Sequence, residues 1–312
     1  MAKIGYIQVT RHCNQHCIIC SNPENKKTLG LVEAKREIDS LKKQGYESVI
    51  LTGGEPTLYE KLPELIRYAA KKGIFPRIVT NGQKTANMAY LESLKKSGLK
   101  HIHLSVYSGR NKVQTELSRN KKSLQNIKKT LDNLAKIEGI TVDINTAINK
   151  FNADHLSETA AWIVDRYPLV NHFVFNNLDP FMNRVAENPE VVPTINDFEL
   201  ELHKTLELLA AAGKTFRVER VPLCYMADFE HVSTETRKIV KKEGRTVYFL
   251  DDRGKLDQKD WFYKKGDCCS LCSLKQICAG LYTRGGFYKE SELHPVFIDP
   301  AEIVKKIKKD GI

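Results

Sequence analysis

Short apolar runs recur along this chain, and each is followed by a stretch of helical period. The runs at 4–10, 48–52, 75–80, 101–107, 142–145 and 172–175 are rich in β-branched and aromatic residues, which predicts strands. Between them, apolar positions return every three to four residues over about 32–43, 62–72, 87–96, 122–137 and 153–166, which predicts helices. Gly45, Gly73, Gly98 and Gly139 mark the helix ends, where a left-handed cap suits glycine. Six strands alternating with helices predict a parallel α/β sheet with right-handed crossovers. After Asn177 the pattern loosens. Residues 178–194 contain three prolines and read as a long loop over the sheet's C-terminal edge. A helix over about 195–212, a strand over 215–221 and a hairpin pairing 247–250 back across the turn Asp252-Arg253-Gly254 are expected next. The expected division is 1–212 for the strand–helix units and 213–312 for a second, smaller α+β domain.

The predicted strand ends coincide with the chemistry. In a parallel barrel, functional groups sit at the C-terminal ends of the strands. After the first strand comes Cys13-Asn14-Gln15-His16-Cys17-Ile18-Ile19-Cys20, a C-x3-C-x2-C run. Three thiolates in eight residues can ligate three irons of a cubane cluster and leave the fourth open. A closed zinc site would need a fourth ligand, for which His12 and His16 are at hand. The second strand runs into Gly53-Gly54-Glu55-Pro56, where two residues without Cβ let the backbone approach a ligand and Glu55 presents a carboxylate. Thr80 and Asn81 end the third strand, Ser105 lies near the end of the fourth, and Asn145 ends the fifth. Small polar side chains at such places also serve as turn and cap residues.

The two motifs together resemble the signature of the radical SAM superfamily. The resemblance implies a partial (β/α)6 TIM-like barrel with a [4Fe–4S] cluster on Cys13, Cys17 and Cys20, whose open iron is chelated by S-adenosylmethionine. It puts Glu55 on the cofactor's amino group, with Gly53, Gly54 and Pro56 shaping the approach and Thr80 and Asn81 at the same mouth. Ser105 is a candidate for the cofactor's carboxylate or ribose, and Asn145 for the ribose hydroxyls. The implied reaction is reductive cleavage to methionine and a 5′-deoxyadenosyl radical, which abstracts a hydrogen from an unactivated carbon. An electron donor such as flavodoxin or ferredoxin is implied as partner.

A second group, Cys268, Cys269, Cys272 and Cys278, has C-x2-C-x5-C spacing from Cys269. It resembles the auxiliary-cluster domains of the same superfamily, called SPASM with two clusters and twitch with one. The full SPASM run continues to a cysteine where this chain has Tyr282, so one auxiliary [4Fe–4S] cluster is expected, on Cys269, Cys272 and Cys278 with Cys224 as fourth ligand. The hairpin is expected to fold over it. Cys224 or Cys268 is alternatively a thiol hydrogen-atom donor, and a structural zinc site is the plain alternative for the group.

Composition narrows the classes. Eight cysteines at ligand-like spacings fit a reducing compartment better than a disulfide framework. With no apolar run of about 18 residues and no signal-peptide pattern, a cytoplasmic protein without membrane contact is expected. The net charge of +11 is uneven, +13 over residues 1–150 and −2 over the rest. The excess lies in lysine pairs on predicted helices, which read as solvated faces and argue against nucleic acid as partner. The expected activity is modification of a peptide or protein substrate, with a separate peptide-recognition protein as possible partner. Rival readings are a radical dehydrogenase or mutase of a small molecule, a non-catalytic iron–sulfur electron carrier, and an RNA-modifying enzyme.

Overall fold

The computed structural model describes residues 3–22, 25–243, 245–258 and 262–309. Six parallel strands follow the expected order: β1 (Ile4–Thr10), β2 (Ser48–Gly53), β3 (Phe75–Thr80), β4 (His101–Ser105), β5 (Thr141–Ile148) and β6 (Val170–Asn177). The connecting helices are α1 (Leu31–Lys43), α2 (Leu62–Lys71), α3 (Met88–Lys96), α4 (Asn111–Ser118), α5 (Ser123–Leu134) and α6 (Leu156–Arg166). Past β6 lie the short α7 (Asn183–Glu187), α8 (Glu199–Ala211), β7 (Thr215–Glu219) and α9 (Thr234–Lys241). The chain continues through β8 (Arg245–Tyr248), β9 (Lys255–Gln258), β10 (Tyr263–Lys264) and β11 (Leu281–Tyr282) to α10 (Pro300–Lys309). This is the mostly parallel α/β architecture expected of a partial barrel.

The strand pattern sorts its side chains into two sets. In β4, Ile102 and Leu104 are fully buried against the helix layer, while His101, His103 and Ser105 face the other way, into the lumen. The same alternation in β3, β5 and β6 sends Ile78, Ile144 and Phe173 outward into the core and Arg77, Asp143 and His172 inward. Helix ends behave as composition predicts: Asn87 caps α3 by accepting from Tyr90 N–H (3.0 Å), and Gly73 closes α2 with φ +67°. The lysine pairs 42–43, 71–72 and 95–96 lie exposed at the C-terminal ends of α1, α2 and α3, favourable for the helix dipole and remote from the mouth.

Three parts differ from expectation. The hairpin exists, with Tyr248 opposite Lys255, but β8 runs parallel to β1 with Gly5 opposite Thr246. It extends the sheet instead of covering the second cysteine group, because an unpaired edge of β1 leaves backbone groups that need partners. Gln8 and Asn25 fasten it by accepting from Leu250 N–H (3.1 Å) and donating to Leu250 O (2.6 Å). On the other side β7 pairs with β6, so the sheet runs β7-β6-β5-β4-β3-β2-β1-β8-β9 and crosses the division expected at residue 213 in both directions. Finally, 178–194 is more ordered than a loop. It contains α7 and a turn at Pro189–Val191, and Val185 and Val191 are fully buried against Cys17, Ile18 and Leu117. No helix is long and apolar enough to cross a membrane among the described residues.

Candidate functional site

The loop carrying Cys13, Cys17 and Cys20 is held by the turn after β2 and by α4, α5 and α7. Gly54 N–H donates to Thr10 O (2.7 Å) and Glu55 N–H to His12 O (2.8 Å), so the turn after β2 lies directly on the start of the loop. A Cβ on Gly53 would stand 2.0 Å from Thr10 O, and one on Gly54 2.4 Å from His12 O. The two glycines therefore permit backbone to approach backbone, with Gly53 also at φ +137°. Farther along, Ile18 N–H donates to Leu117 O of α4 (3.0 Å) and Gln15 to Ser123 at the start of α5 (3.1 Å). Arg184 of α7 donates to Cys17 O (2.9 Å), and Tyr107 lies against the same cysteine. Neither α4 nor Arg184 stood out in the sequence. Helix α4 has few apolar positions and is held by buried Gln114, which accepts from Tyr107 N–H (2.9 Å) and Ser108 N–H (3.1 Å).

The Glu55 carboxylate, expected to meet the cofactor's ammonium, is already engaged by its neighbours. The residue is 1 % exposed, and its carboxylate accepts from Thr57 N–H (3.0 Å), Thr57 Oγ1 (2.6 Å), Thr80 Oγ1 (2.7 Å) and Asn81 N–H (2.7 Å). Burial pushes its pKa up, and these donors pull against that shift. The carboxylate thus braces the ends of β2 and β3, and Thr80 is engaged in the same brace. Pro56 opens the turn Pro56–Leu58 and is buried. What faces the mouth is the half-buried Gly54. Asn81 reaches the loop itself, donating to Asn14 Oδ1 (2.8 Å) and lying 3.8 Å from Cys13 Sγ. Ser105 and Asn145 are register partners on neighbouring strands, and Asn145 accepts from Asn176 (2.5 Å). Glu55→Gln is expected to point an amide N–H₂ at one of these donors. With hydrogen bonds to a charged acceptor contributing about 1.5–3 kcal/mol each, a loss of roughly 2–4 kcal/mol in urea denaturation follows.

All eight cysteines are free thiols. Burial pushes the Cys17 thiol up to about 12, and neighbouring Cys20 and Cys13 push the same way, so three thiolates here require a cation to hold them together. A single zinc would bring its sulfurs to about 3.8 Å apart. Among the described residues, only His101, His103 and Asp143 place three such ligand atoms within 4.8 Å of one another; neither cysteine group does. His12 and His16 are exposed. A thiol set on one loop, spread wider than one ion needs, fits a multi-iron cluster.

The second group converges as well. Cys224, Cys269, Cys272 and Cys278 line one small cavity, together with Pro222, Leu293 and His294; Cys268 is not part of the lining. Backbone N–H groups donate to these sulfurs: Val296 to Cys272 (3.4 Å), Gly280 to Cys278 (3.3 Å) and His294 to Cys224. Residues 293–296, rather than the hairpin, form the cover. Burial pushes the Cys224 thiol up to about 12, with Cys278 and Cys269 adding to the effect.

Comparison with known proteins agrees with this geometry. The chain is 25% identical over 280 residues to the 7,8-dihydro-6-hydroxymethylpterin dimethyltransferase of Methanocaldococcus jannaschii, covering 81% of this chain and 55% of that protein. It is 28% identical over 159 residues to the PqqA peptide cyclase of Xanthomonas campestris, covering 48% of this chain and 40% of that one. The chain thus spans about half the length, or less, of these relatives. Streptococcus suis SuiB bound to its precursor peptide SuiA has the same fold, with a TM-score of 0.64 at 18% identity over 90% of this chain and 72% of that one. The model of the Radical SAM superfamily matches residues 7–163, which take in β1 to α6 with the cysteine loop and the Gly53–Glu55 turn, and the chain belongs to that superfamily.

Proposed function

We propose that this radical SAM enzyme modifies a peptide or protein substrate, with a second iron–sulfur cluster beside the barrel. The observation that carries the reading is the cavity on which Cys224, Cys269, Cys272 and Cys278 converge, with backbone donors aimed at three of the sulfurs. Hydrogen bonds to ligand sulfurs are a recognised control on cluster potential. When bound, the first cluster supplies one electron for cleavage of S-adenosylmethionine and so a 5′-deoxyadenosyl radical for hydrogen abstraction. The chain's own residues do the rest. Cys13, Cys17 and Cys20 would hold that cluster, and the Gly54 backbone, Ser105 and Asn145 would orient the cofactor at the mouth. Tyr107 and α7 cover Cys17 on the substrate side and shield it from water. Cys224 is the fourth auxiliary ligand in this reading, and Cys268 is spare. Flavodoxin or ferredoxin is the proposed electron donor, and a separate recognition protein would deliver a peptide. Support comes from the similarity to the PqqA peptide cyclase and from the fold shared with SuiB.

One observation favours a second reading, a small-molecule substrate: the pterin dimethyltransferase match extends over most of this chain. A single experiment separates them. The anaerobically reconstituted protein is given S-adenosylmethionine, dithionite and a deuterated cell extract split into peptide and small-molecule fractions. Deuterium entering 5′-deoxyadenosine from the peptide fraction alone is expected. Transfer from the small-molecule fraction alone overturns the peptide reading.

A further inference from the structure

The floor of the barrel lumen, at the N-terminal ends of the strands, is not the apolar packing that fills a closed barrel. Tyr6 of β1, Ile50 of β2 and Arg77 of β3 lie at one level, and Arg245 starts the neighbouring β8. The Arg245 guanidinium is stacked 3.9 Å from the Tyr6 ring centre, and Arg77 lies at the level of Tyr6 on the other side of β1, its guanidinium 5.3 Å from the Phe75 ring centre. The Nε atoms of both arginines are buried without a hydrogen-bond partner. No acid lies within ion-pair distance of either guanidinium among the described residues. An unsatisfied buried donor costs about 1–3 kcal/mol, more if charged, and native structures leave few such groups unexplained.

The carboxylates nearby are committed elsewhere. Asp143 Oδ2 lies 2.6 Å from His101 Nε2 and 3.3 Å from His103 Nδ1. Those are hydrogen-bond distances, and the Arg77 guanidinium faces the same carboxylate, so this trio is a poor place for an added cation. Burial holds His103 and His172 near 3 and 4, so the imidazoles bring no charge at neutral pH. Glu219 is set among Lys238, Arg245 and Arg220, with Glu235 beside it in the same group. The floor therefore presents two half-buried forked donors with buried Nε atoms left unpaired, and an oxyanion matches them in charge and shape.

We propose that Arg77 and Arg245, on either side of Tyr6, form an oxyanion site in the barrel floor that receives a carboxylate or phosphate group of the substrate. Tyr6 is four residues before Thr10, so the site lies about 13 Å below the cysteine loop along the strand. A substrate anchored there places its reacting carbon between floor and mouth. The inference rests on the lumen being the substrate chamber of the activity proposed above.

The test needs neither S-adenosylmethionine nor reductant. The cluster-loaded protein is titrated with inorganic phosphate and, separately, with glutarate, against chloride at equal ionic strength. Binding is read by calorimetry and by the rise in melting temperature. At least one of the two anions is expected to bind the wild type and to lose about tenfold or more in affinity in Arg77→Gln and in Arg245→Gln. Arg77→Lys keeps the charge without the fork and is expected to fall between. Phosphate alone identifies a phosphoester, and glutarate alone a carboxylate. Equal affinity in wild type and both glutamine variants, or no binding of either anion, overturns the site. Melting in chloride shows which variants are folded, and Arg77→Lys keeps the test open if a glutamine variant is not. Deoxyadenosine formation is measured separately, so failure here leaves the proposed activity standing.

Discussion

Replacing Cys13, Cys17 and Cys20 together by alanine is expected to reduce 5′-deoxyadenosine formation to the background of the assay and to remove about four irons per chain. The three thiols are the only cysteines in the sequence between β1 and α1, and the loop is pinned by contacts that do not involve them. Ile18 still meets Leu117, Gln15 still meets Ser123, and Gly54 still meets Thr10. The barrel core lies in the helix layer and does not depend on the loop. The variant should therefore melt close to the metal-free wild type, which separates loss of chemistry from loss of fold. Retained deoxyadenosine formation would mean that the cleaving cluster is held elsewhere.

The second large effect concerns Cys224. Cys224→Ala is expected to lower the iron content from about eight to about four per chain, while cleavage of S-adenosylmethionine persists and modification of the substrate is lost. Cys268→Ala is expected to leave both iron and turnover unchanged, because Cys268 lies outside the cavity that the other four share. Iron analysis and electron paramagnetic resonance on the two variants decide the matter. If the Cys224 variant keeps all its iron and loses only substrate turnover, the thiol is a hydrogen donor and the cavity has an open iron. If the Cys268 variant loses iron instead, the pair Cys268-Cys269 is to be read the other way round.

Both predictions rest on features with different visibility in the sequence. The strand and helix positions were legible because burial on one face imposes its period on the chain, as the alternation across β4 illustrates. The cysteine loop and the Gly53–Glu55 turn were legible because cluster ligation and close backbone approach tolerate few residue types. The partner of Glu55 was not. Its four donors come from Thr57, Thr80 and Asn81, and nothing in those residues marks them as neighbours until β2 and β3 pair. Helix α4 was missed because its stability comes from Gln114 and Leu117 in tertiary contacts, not from an apolar stripe. The hairpin was recognised from its turn but assigned to the wrong neighbour, since a turn fixes local pairing and says nothing of which edge the pair will join. The lumen arginines had no signal at all. They alternate with core residues like any exposed position, and only the curvature of the partial barrel turns them inward.

The pairing of β1 between β2 and β8 bears on how the molecule is made. Within this sequence the strand that leads into the cysteine loop comes before all the others, yet its second neighbour begins at Arg245. Contacts of such sequence separation are slow to form, because the intervening chain must first be ordered. Residues 4–10 therefore keep one edge open until the chain has folded through to Arg245 and beyond. Until then the hydrogen bonds that Gln8 and Asn25, on either side of the cysteine loop, make with Leu250 are absent.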